Sequence, residues 1–150
     1  MQIPFMNIKR QNEPLRDKYE NALSQVMDHG RFILGPEVQK FEENFAAAHD
    51  ARYCVGTSSG TTAIHLALVA AGISSGDQVI TVANTFAATA EAICHCGAQP
   101  VFVDMHPDTY TLDIEQIESA ITPDTKAIIP VHLYGCPADM DPILELAEKH

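Results

Sequence analysis

Short apolar segments alternate with helical segments through the last two thirds of this chain, and this alternation limits the folds open to it. Helices are predicted near 60–71, 86–96 and 113–121, with a further helix beginning near Asp139. The strand-like segments are 53–55, 78–83, 100–103 and 127–132. Strands joined through helices by short connections pair in parallel, so we predict an α/β fold with a mostly parallel sheet. Pro130 cannot donate a ladder hydrogen bond, which predicts a bulge or a sheet edge at the fourth strand.

The first fifty residues have a different pattern. Apolar residues recur at helical spacing from Glu13 to His29, and Gly30 is placed to end that helix. Pro36 then begins a second helix whose apolar residues share one face. We therefore predict a helical arm over residues 1–50 and the first part of a larger domain over residues 51–150. The last helical segment carries no glycine or proline to end it, so we expect the natural chain to continue.

The charge balance argues against two classes of partner. The chain carries 20 acidic and 9 basic residues, a net charge of −11, and its basic residues are scattered. Scattered Lys and Arg side chains offer no stripe for a phosphate backbone, so no nucleic-acid and no membrane partner is expected. No apolar run approaches the ~20 residues of a membrane span, and the first residues lack the order of a signal peptide. We expect a cytoplasmic protein.

The four cysteines indicate neither a disulfide framework nor a metal site. They are too few and too irregularly spaced to hold a chain of 150 residues together. Cys94-His95-Cys96 has no second ligand pair at zinc-like spacing, and adjacent side chains of a helix point in different directions. No metal site is predicted.

The segment Ser58-Ser59-Gly60-Thr61-Thr62 begins the predicted helix 60–71. This helix is apolar nearly all round, which predicts that it is buried. Ser59 is a suitable N-cap, and no acidic residue lies in the first turn, so the N–H groups there are available to water or an anion. The hydroxyls of Thr61 and Thr62 add donors. Two interpretations stay open: a phosphate-binding site, and a serine-capped buried helix that binds only water.

Asn84-Thr85-Phe86 follows the predicted strand 78–83, at the edge of a parallel sheet where ligands bind. Phe86 is suited to stack on a flat ring there, although its spacing favours a core aromatic. A phosphate-binding helix and a stacking ring together indicate a phosphorylated aromatic cofactor. His132 lies at the same edge, where it either bonds a ligand oxygen or, as we favour, is a core histidine satisfied by the backbone. Asp104 is interpreted as a turn residue.

No residue of the chain is predicted to be catalytic. A Schiff base with a cofactor at Thr61 and Phe86 requires a lysine beside that cofactor. The lysines of the chain all fall elsewhere, in the amino-terminal helices, at the opposite sheet edge or at the chain end: Lys9, Lys18, Lys40, Lys126 and Lys149.

A series of short segments, weak one by one, becomes specific through its order and spacing along essentially all 150 residues. The segments are Ile3-Pro4-Phe5, Phe32-Ile33-Leu34-Gly35-Pro36-Glu37-Val38 with Phe41-Glu42, Ser58-Ser59-Gly60-Thr61-Thr62-Ala63, Ala83-Asn84-Thr85-Phe86-Ala87-Ala88-Thr89, Pro100-Val101-Phe102-Val103-Asp104, Pro130-Val131-His132-Leu133-Tyr134-Gly135 and Pro137-Ala138-Asp139-Met140. In these segments the chain resembles the amino-terminal portion of the sugar aminotransferases of the DegT/DnrJ/EryC1/StrS family. Cys136 departs from the family, which often has glutamine there.

The resemblance implies a cofactor, a reaction and a fold. Members of this family use pyridoxal 5'-phosphate (PLP), so Gly60, Thr61 and Thr62 are expected to hold its phosphate and Phe86 to stack on its pyridine ring. The implied reaction transfers an amino group from an amino acid, often glutamate, to a nucleotide-linked keto-sugar. A homodimer with active sites at the subunit interface is also implied. Residues 51–150 are then the first part of the PLP-binding large domain of a fold-type I enzyme.

Two alternatives to an active aminotransferase stay open. The family's Schiff-base lysine and small carboxy-terminal domain are expected beyond His150, and sugar dehydratases on the same scaffold have histidine in place of that lysine. The chain is also compatible with a non-catalytic truncated product. The 150-residue chain alone is expected to be inactive as a transaminase.

Overall fold

The computed structural model describes residues 3–150, so Met1 and Gln2 of the predicted arm lie outside the described residues. The chain divides into two compact units, one ending at Gly56 and the other spanning Thr57–His150. The strands of the described residues all belong to the second unit.

The first unit is helical, as its spacing predicts. A short helix α1 (Ile8–Asn12) leads through a 3₁₀ turn (Glu13–Leu15) into α2 (Arg16–His29), and α3 (Pro36–Ala48) follows. Gly30 ends α2 in a left-handed conformation (φ 68°), from which its N–H bonds to the carbonyl of Val26 at 2.9 Å. Pro36 begins α3, at a position where its missing N–H has no helical acceptor to lose. Both predicted helices and their end signals are confirmed.

A histidine–glutamate pair closes the loop between α2 and α3. The ring Nδ1 of His29 accepts the N–H of Arg31 at 3.1 Å, and the ring Nε2 lies 2.9 Å from Oε1 of Glu37. Because Nδ1 accepts, Nε2 carries the proton and donates it to the carboxylate. This hydrogen bond lowers the pKa of Glu37 below its ordinary value. The closed loop exposes three consecutive apolar side chains: Phe32, Ile33 and Leu34.

The second unit is built on a three-stranded parallel sheet. β1 (Gln78–Val82) is the central strand, with β2 (Gln99–Val103) on one side and β3 (Thr125–Ile129) on the other. Helices precede, connect and follow the strands in the order α4 (Gly60–Ala70), α5 (Ala88–His95), α6 (Ile114–Ala120) and α7 (Met140–Lys149). In register, Ile80 pairs with Val101 of β2 and with Ile128 of β3. The predicted α/β class and parallel sheet are confirmed.

The side chains of β1 alternate between the two faces of the sheet. Each face is covered by helices, and each contributes to a hydrophobic cluster. Ile80 and Val82 are buried in one cluster together with Ile117 of α6 and Ile143 of α7. Val79 is buried in a second cluster, whose other buried members come from α4, α5 and the segments that follow them: Leu68, Ile73, Ala92, Ile93 and Ala98. Burial on both faces is typical of parallel sheets with helices on each side.

Two predictions about residues 53–71 are wrong. Residues 53–55 do not form a strand: no strand within residues 3–150 pairs with them, and a strand exists only as part of a hydrogen-bonded ladder. The predicted burial of the helix 60–71 is also wrong, since Leu68 is the one buried residue of α4 while Leu66 and Val69 are about half exposed. Within residues 57–150, α4 packs mainly on α5, so much of its apolar surface has no covering neighbour there.

The prediction that places Pro130 inside a strand over 127–132 is wrong, because Pro130 lies outside β3. β3 ends at Ile129, directly before the proline, and it is an edge strand of this three-stranded sheet. The edge position agrees with the prediction from Pro130, because a residue without an N–H ends a ladder most readily where one side is unpaired. The predicted helix 86–96 is shorter than expected and spans Ala88–His95.

Candidate functional site

The winding of the sheet changes direction at the central strand. From β1 the chain passes through α5 to β2 on one side, and from β2 it passes through α6 to β3 on the other side of β1. The reversal therefore falls between β1 and β3. In open parallel sheets, ligands bind outside the carboxyl ends of the strands at such a point. The segments 83–86 and 130–138, which follow these two strands, are thus the first places to look for a site.

The N-terminus of α4 carries the predicted cap. Ser59 has an extended backbone, and its Oγ accepts the N–H of Thr62 at 3.1 Å, which confirms Ser59 as the N-cap. The hydroxyl of Thr62 lies 3.0 Å from Oγ of Ser59 and 3.2 Å from Oγ of Ser58. The hydroxyl of Thr57 donates to the carbonyl of Ser59 at 3.1 Å. A network of hydroxyl groups thus fixes the backbone that leads into the first turn.

Two backbone N–H groups of this turn have no acceptor within residues 3–150. Thr62 donates to Oγ of Ser59 and Ala63 donates to the carbonyl of Ser59 at 3.0 Å, which leaves the N–H groups of Gly60 and Thr61. A Cβ added at Gly60 would meet no heavy atom within 4 Å, so the space beside it is open. The first turn has no acidic residue to offset the positive end of the helix dipole. This arrangement suits a bound anion.

Phe86 lies just beyond the carboxyl end of β1 and is 78% exposed. The interpretation that it is a core aromatic is therefore wrong. Its carbonyl accepts the N–H of Thr89 at 3.0 Å, and the hydroxyls of Thr85 and Thr89 lie 2.9 Å apart. The start of α5 thus holds the backbone of Phe86, while its ring is open to the surroundings at the sheet edge where ligands bind.

His132 holds the loop that follows β3. Its Nδ1 accepts the N–H of Ala138 at 3.0 Å, which confirms the predicted hydrogen bond to the backbone. The predicted core position is wrong, because His132 is exposed. Ala138 is 4% exposed and belongs to the core, so this hydrogen bond ties the loop 133–137 to the packed interior. Oδ1 of Asp104 accepts the N–H of Met105 at 2.8 Å, which agrees with its interpretation as a turn residue.

Sequence reasoning missed two tyrosines near this edge. Tyr110 (φ 59°) and Tyr134 (φ 51°) have left-handed backbone conformations, which cost a non-glycine residue roughly 1–3 kcal/mol. Tyr134 is fully exposed and Tyr110 is 55% exposed. Neighbouring residues such as Gly135 and Asp108 indicate loops in the sequence, but nothing in the pattern tells which loop residue takes the left-handed conformation.

The lysines of the second unit lie away from the carboxyl edge. Lys126 is at the amino end of β3 and donates to the carbonyl of Pro123 at 3.1 Å. Lys149 ends α7 and pairs with Glu118. Within residues 3–150, no three His, Cys, Asp or Glu side chains come together as metal ligands do. Over the same residues, every helix is too short or too polar to cross a membrane.

Comparison with known proteins gives a consistent match. Residues 14–150 match the family model of the DegT/DnrJ/EryC1/StrS aminotransferases. The UDP-2-acetamido-2-deoxy-3-oxo-D-glucuronate aminotransferase of Pseudomonas aeruginosa is 45% identical over 99% of this chain and 41% of its own length. The dTDP-3-amino-3,4,6-trideoxy-alpha-D-glucose transaminase of Streptomyces venezuelae is 47% identical over 99% of this chain and 39% of its own length. The chain thus spans about two fifths of the length of these curated relatives.

Solved structures match over the same extent. DesV of S. venezuelae superposes with a TM-score of 0.95 at 46% identity, over 99% of this chain and 40% of DesV. NtdA of Bacillus subtilis, solved with bound cofactor PMP, superposes with a TM-score of 0.92 at 41% identity, over 99% of this chain and 34% of NtdA. Both have the fold-type I architecture, and the described chain is a part of that fold.

Proposed function

The chain belongs to the DegT/DnrJ/EryC1/StrS aminotransferase family, and on this premise we propose that the protein is a PLP-dependent aminotransferase acting on a nucleotide-linked keto-sugar. The names of two relatives support this, since one acts on a UDP-linked sugar and the other on a dTDP-linked sugar. The PMP bound to NtdA supports the cofactor. Because the chain spans about two fifths of these relatives, the activity is proposed for the complete protein.

The N-terminus of α4 is the proposed phosphate site. The donors are the N–H groups of Gly60 and Thr61, which have no other acceptor within residues 3–150, and the hydroxyls of Thr61 and Thr62. Hydrogen bonds to a charged group contribute about 1.5–3 kcal/mol each, so three or four of them hold a phosphate firmly. The missing Cβ of Gly60 lets a ligand approach the backbone closely.

Phe86 is the proposed partner of the pyridine ring. Its ring is exposed at the carboxyl end of the central strand, next to the point where the winding reverses. Stacking between aromatic rings contributes ~0.5–1.5 kcal/mol beyond the buried area. PLP bound there would supply the chemistry of amino transfer between the donor and the sugar ketone. The proposed role of these residues is to bind that cofactor and orient its ring.

The remaining parts of the proposal rest on the family. Residues 1–50 are proposed as a helical arm, and residues 51–150 as the first part of the PLP-binding large domain. Glutamate is the proposed amino donor, and a homodimer is the proposed assembly. For the 150-residue chain alone we propose no turnover, since no lysine of residues 57–150 lies at the carboxyl edge of the sheet.

The observation that carries this proposal is the pair of open N–H groups at the Ser59-capped end of α4. The test uses the complete protein loaded with PLP. Addition of glutamate should convert the absorption spectrum of bound PLP into that of PMP, and a nucleotide-linked keto-sugar should then restore it. A PLP spectrum that stays unchanged with glutamate and with other amino acids would contradict the proposal.

A further inference from the structure

Three loops at the carboxyl edge of the second unit meet around an apolar cleft of about 370 Å³. We term it the tyrosine cleft, and its lining residues are Asn84, Thr109, Tyr110, Leu133, Tyr134 and Cys136. One of them follows β1, two belong to the loop after β2, and three follow β3. The cleft therefore lies at the reversal of winding, beside the segment that carries Phe86.

The backbone around the tyrosine cleft is held under strain. Tyr110 and Tyr134 are the non-glycine residues of Thr57–His150 that have a positive φ, and both line this one cleft. Such conformations persist where the surrounding structure imposes them, and they concentrate at sites that bind ligands. The strain thus marks the cleft independently of its shape.

Hydrogen bonds fix both tyrosine loops. Around Tyr134, the N–H of Gly135 bonds to the carbonyl of His132 at 3.2 Å, and the N–H of Cys136 bonds to the carbonyl of Leu133 at 2.9 Å. The bond from Ala138 to the ring of His132 holds the far end of the same loop.

The loop of Tyr110 is closed in a similar way. The N–H of Tyr110 bonds to the carbonyl of His106 at 2.9 Å, and the N–H of His106 bonds to the carbonyl of Thr111 at 2.9 Å. Thr111 and Leu112 are buried, so the loop is anchored in the interior. Both rings are therefore presented by ordered loops before any ligand arrives, which reduces the entropy lost on binding.

The residues that line the tyrosine cleft favour an uncharged ring as the ligand. None of the six lining residues carries a charge, so the phosphates of a nucleotide or the carboxylates of an amino acid would find no counter-charge among them. Nδ2 of Asn84 lies 3.1 Å from Sδ of Met105, which leaves its amide oxygen as an acceptor. Thr109 is a second polar residue of the lining, and its hydroxyl lies 2.9 Å from that of Thr111. A pyranose, with apolar C–H faces and hydroxyls around its edge, matches apolar walls that carry a few polar groups.

We infer that the tyrosine cleft receives the sugar ring of the acceptor substrate, with Tyr110 and Tyr134 as the side chains that determine specificity for it. This inference rests on the proposed aminotransferase function, which requires the sugar ketone to lie beside the cofactor ring. Phe86, the proposed partner of that ring, is two residues from Asn84 of the cleft. The cleft and the proposed partner of the cofactor ring thus both lie beyond the carboxyl end of β1.

The test measures what the sugar ring adds to nucleotide binding. Calorimetry on the complete PLP-loaded protein gives the affinities for UDP-glucose against UDP, and for dTDP-glucose against dTDP. The ratio of the two affinities within each pair reports what the sugar ring adds to nucleotide binding. Tyr134→Gly and Tyr110→Gly remove the rings at positions whose φ suits glycine, so the loops should keep their shape. Tyr53→Ala, which removes an exposed tyrosine outside the cleft, is the control.

We expect the wild type to bind at least one sugar nucleotide more tightly than its nucleotide. Each glycine variant should reduce that ratio by roughly three- to tenfold, the range expected for one aromatic contact. Tyr53→Ala should leave the ratio unchanged. Equal ratios in the wild type and the two glycine variants would overturn the inference. An equal loss of affinity for the nucleotide and the sugar nucleotide would also overturn it, because the rings would then contact the base.

The spectrum of bound PLP separates this inference from the proposed function. If glutamate converts bound PLP to PMP in all variants while the affinity ratios stay equal, the cleft assignment alone is wrong. If glutamate has no effect on any of the proteins, the aminotransferase proposal fails first. The two failures are therefore distinguishable in the same set of samples.

Discussion

The Oγ of Ser59 accepts the N–H of Thr62 at 3.1 Å, so this backbone donor of α4 is not open to a ligand. The next N–H, that of Ala63, bonds to the carbonyl of Ser59. The two N–H groups that remain belong to Gly60 and Thr61, adjacent residues at the positive end of the helix. The cap thus orders the first turn, while two adjacent N–H groups are left without an acceptor within residues 3–150.

Replacing Ser59 tests whether the N-cap of α4 contributes to PLP binding as well as to stability. Ser59→Ala should lower the free energy of unfolding by ~1 kcal/mol, the usual effect of losing an N-cap. Asp113→Ala is the matched control, because Oδ1 of Asp113 accepts the N–H of Glu115 at 3.1 Å and caps α6, where we propose no ligand. Urea denaturation should show similar losses for both variants, whereas PLP affinity should fall for Ser59→Ala alone. Equal PLP affinities in the two variants would place the cofactor elsewhere.

Gly60→Ala should move stability and cofactor affinity in opposite directions. Alanine is the better helix former by roughly 0.5–1 kcal/mol, and the added Cβ meets no heavy atom within 4 Å, so the PLP-free protein should become more stable. The same methyl group should obstruct the approach of a phosphate and weaken PLP binding. Thermal melting without PLP and a PLP titration measure the two effects. If the variant binds PLP as tightly as the wild type, the phosphate does not approach this backbone.

Phe86→Leu should affect the cofactor and leave the fold almost unchanged. The side chain is largely exposed, so the free energy of unfolding should change by less than about 0.5 kcal/mol. Loss of the ring should reduce PLP affinity several-fold and alter the absorption band of bound PLP, since stacking contributes ~0.5–1.5 kcal/mol. Phe86→Tyr keeps the ring and should restore both properties. Phe102→Leu, at a half-exposed phenylalanine of β2, is the control that should leave the band unaltered.

The pair of His29 and Glu37 predicts a dependence of stability on pH. The hydrogen bond from His29 lowers the pKa of Glu37. A carboxyl group whose pKa is lower in the folded state stabilises the fold above its unfolded pKa, and this contribution is lost as the pH falls through the folded pKa. Glu37→Gln should therefore be less stable than the wild type at neutral pH, and the difference should vanish in acid. A difference that stays constant across the acid range would show that the carboxylate charge is not its cause.

Local signals in the sequence predicted those elements that depend on local chemistry. Gly30 ends a helix, Pro36 begins one and Ser59 caps one, and each acts through the backbone of its own turn. The prediction of a strand at 53–55 was wrong because a strand depends on a partner elsewhere in the chain. The predicted burial of α4 was wrong because an apolar composition indicates that burial of a helix is favourable. It does not indicate which neighbouring element covers that helix.

The sequence also predicted only part of the candidate site. The cap at Ser59 follows from a serine directly before an apolar helix, and the position of Phe86 follows from its place after the predicted strand 78–83. The left-handed tyrosines do not, because their conformation is imposed by hydrogen bonds between loop residues, such as that from Cys136 to Leu133. The contact between the loops after β1, β2 and β3 arises from the strand order, which three short strands do not specify by themselves.

The proposed phosphate site at the N-terminus of α4 is tested most directly by a comparison of PLP with pyridoxal, which lacks the phosphate. The complete protein is titrated with both compounds as the wild type, as Thr62→Val and as Thr122→Val. Thr122 also loses a hydroxyl, one that bonds to Oε1 of Gln78 at 2.7 Å near the opposite edge of the sheet. We predict that Thr62→Val binds PLP roughly tenfold or more weakly with its pyridoxal affinity unchanged, and that Thr122→Val keeps the wild-type ratio. The same PLP-to-pyridoxal ratio in all three proteins would contradict a phosphate site at the N-terminus of α4.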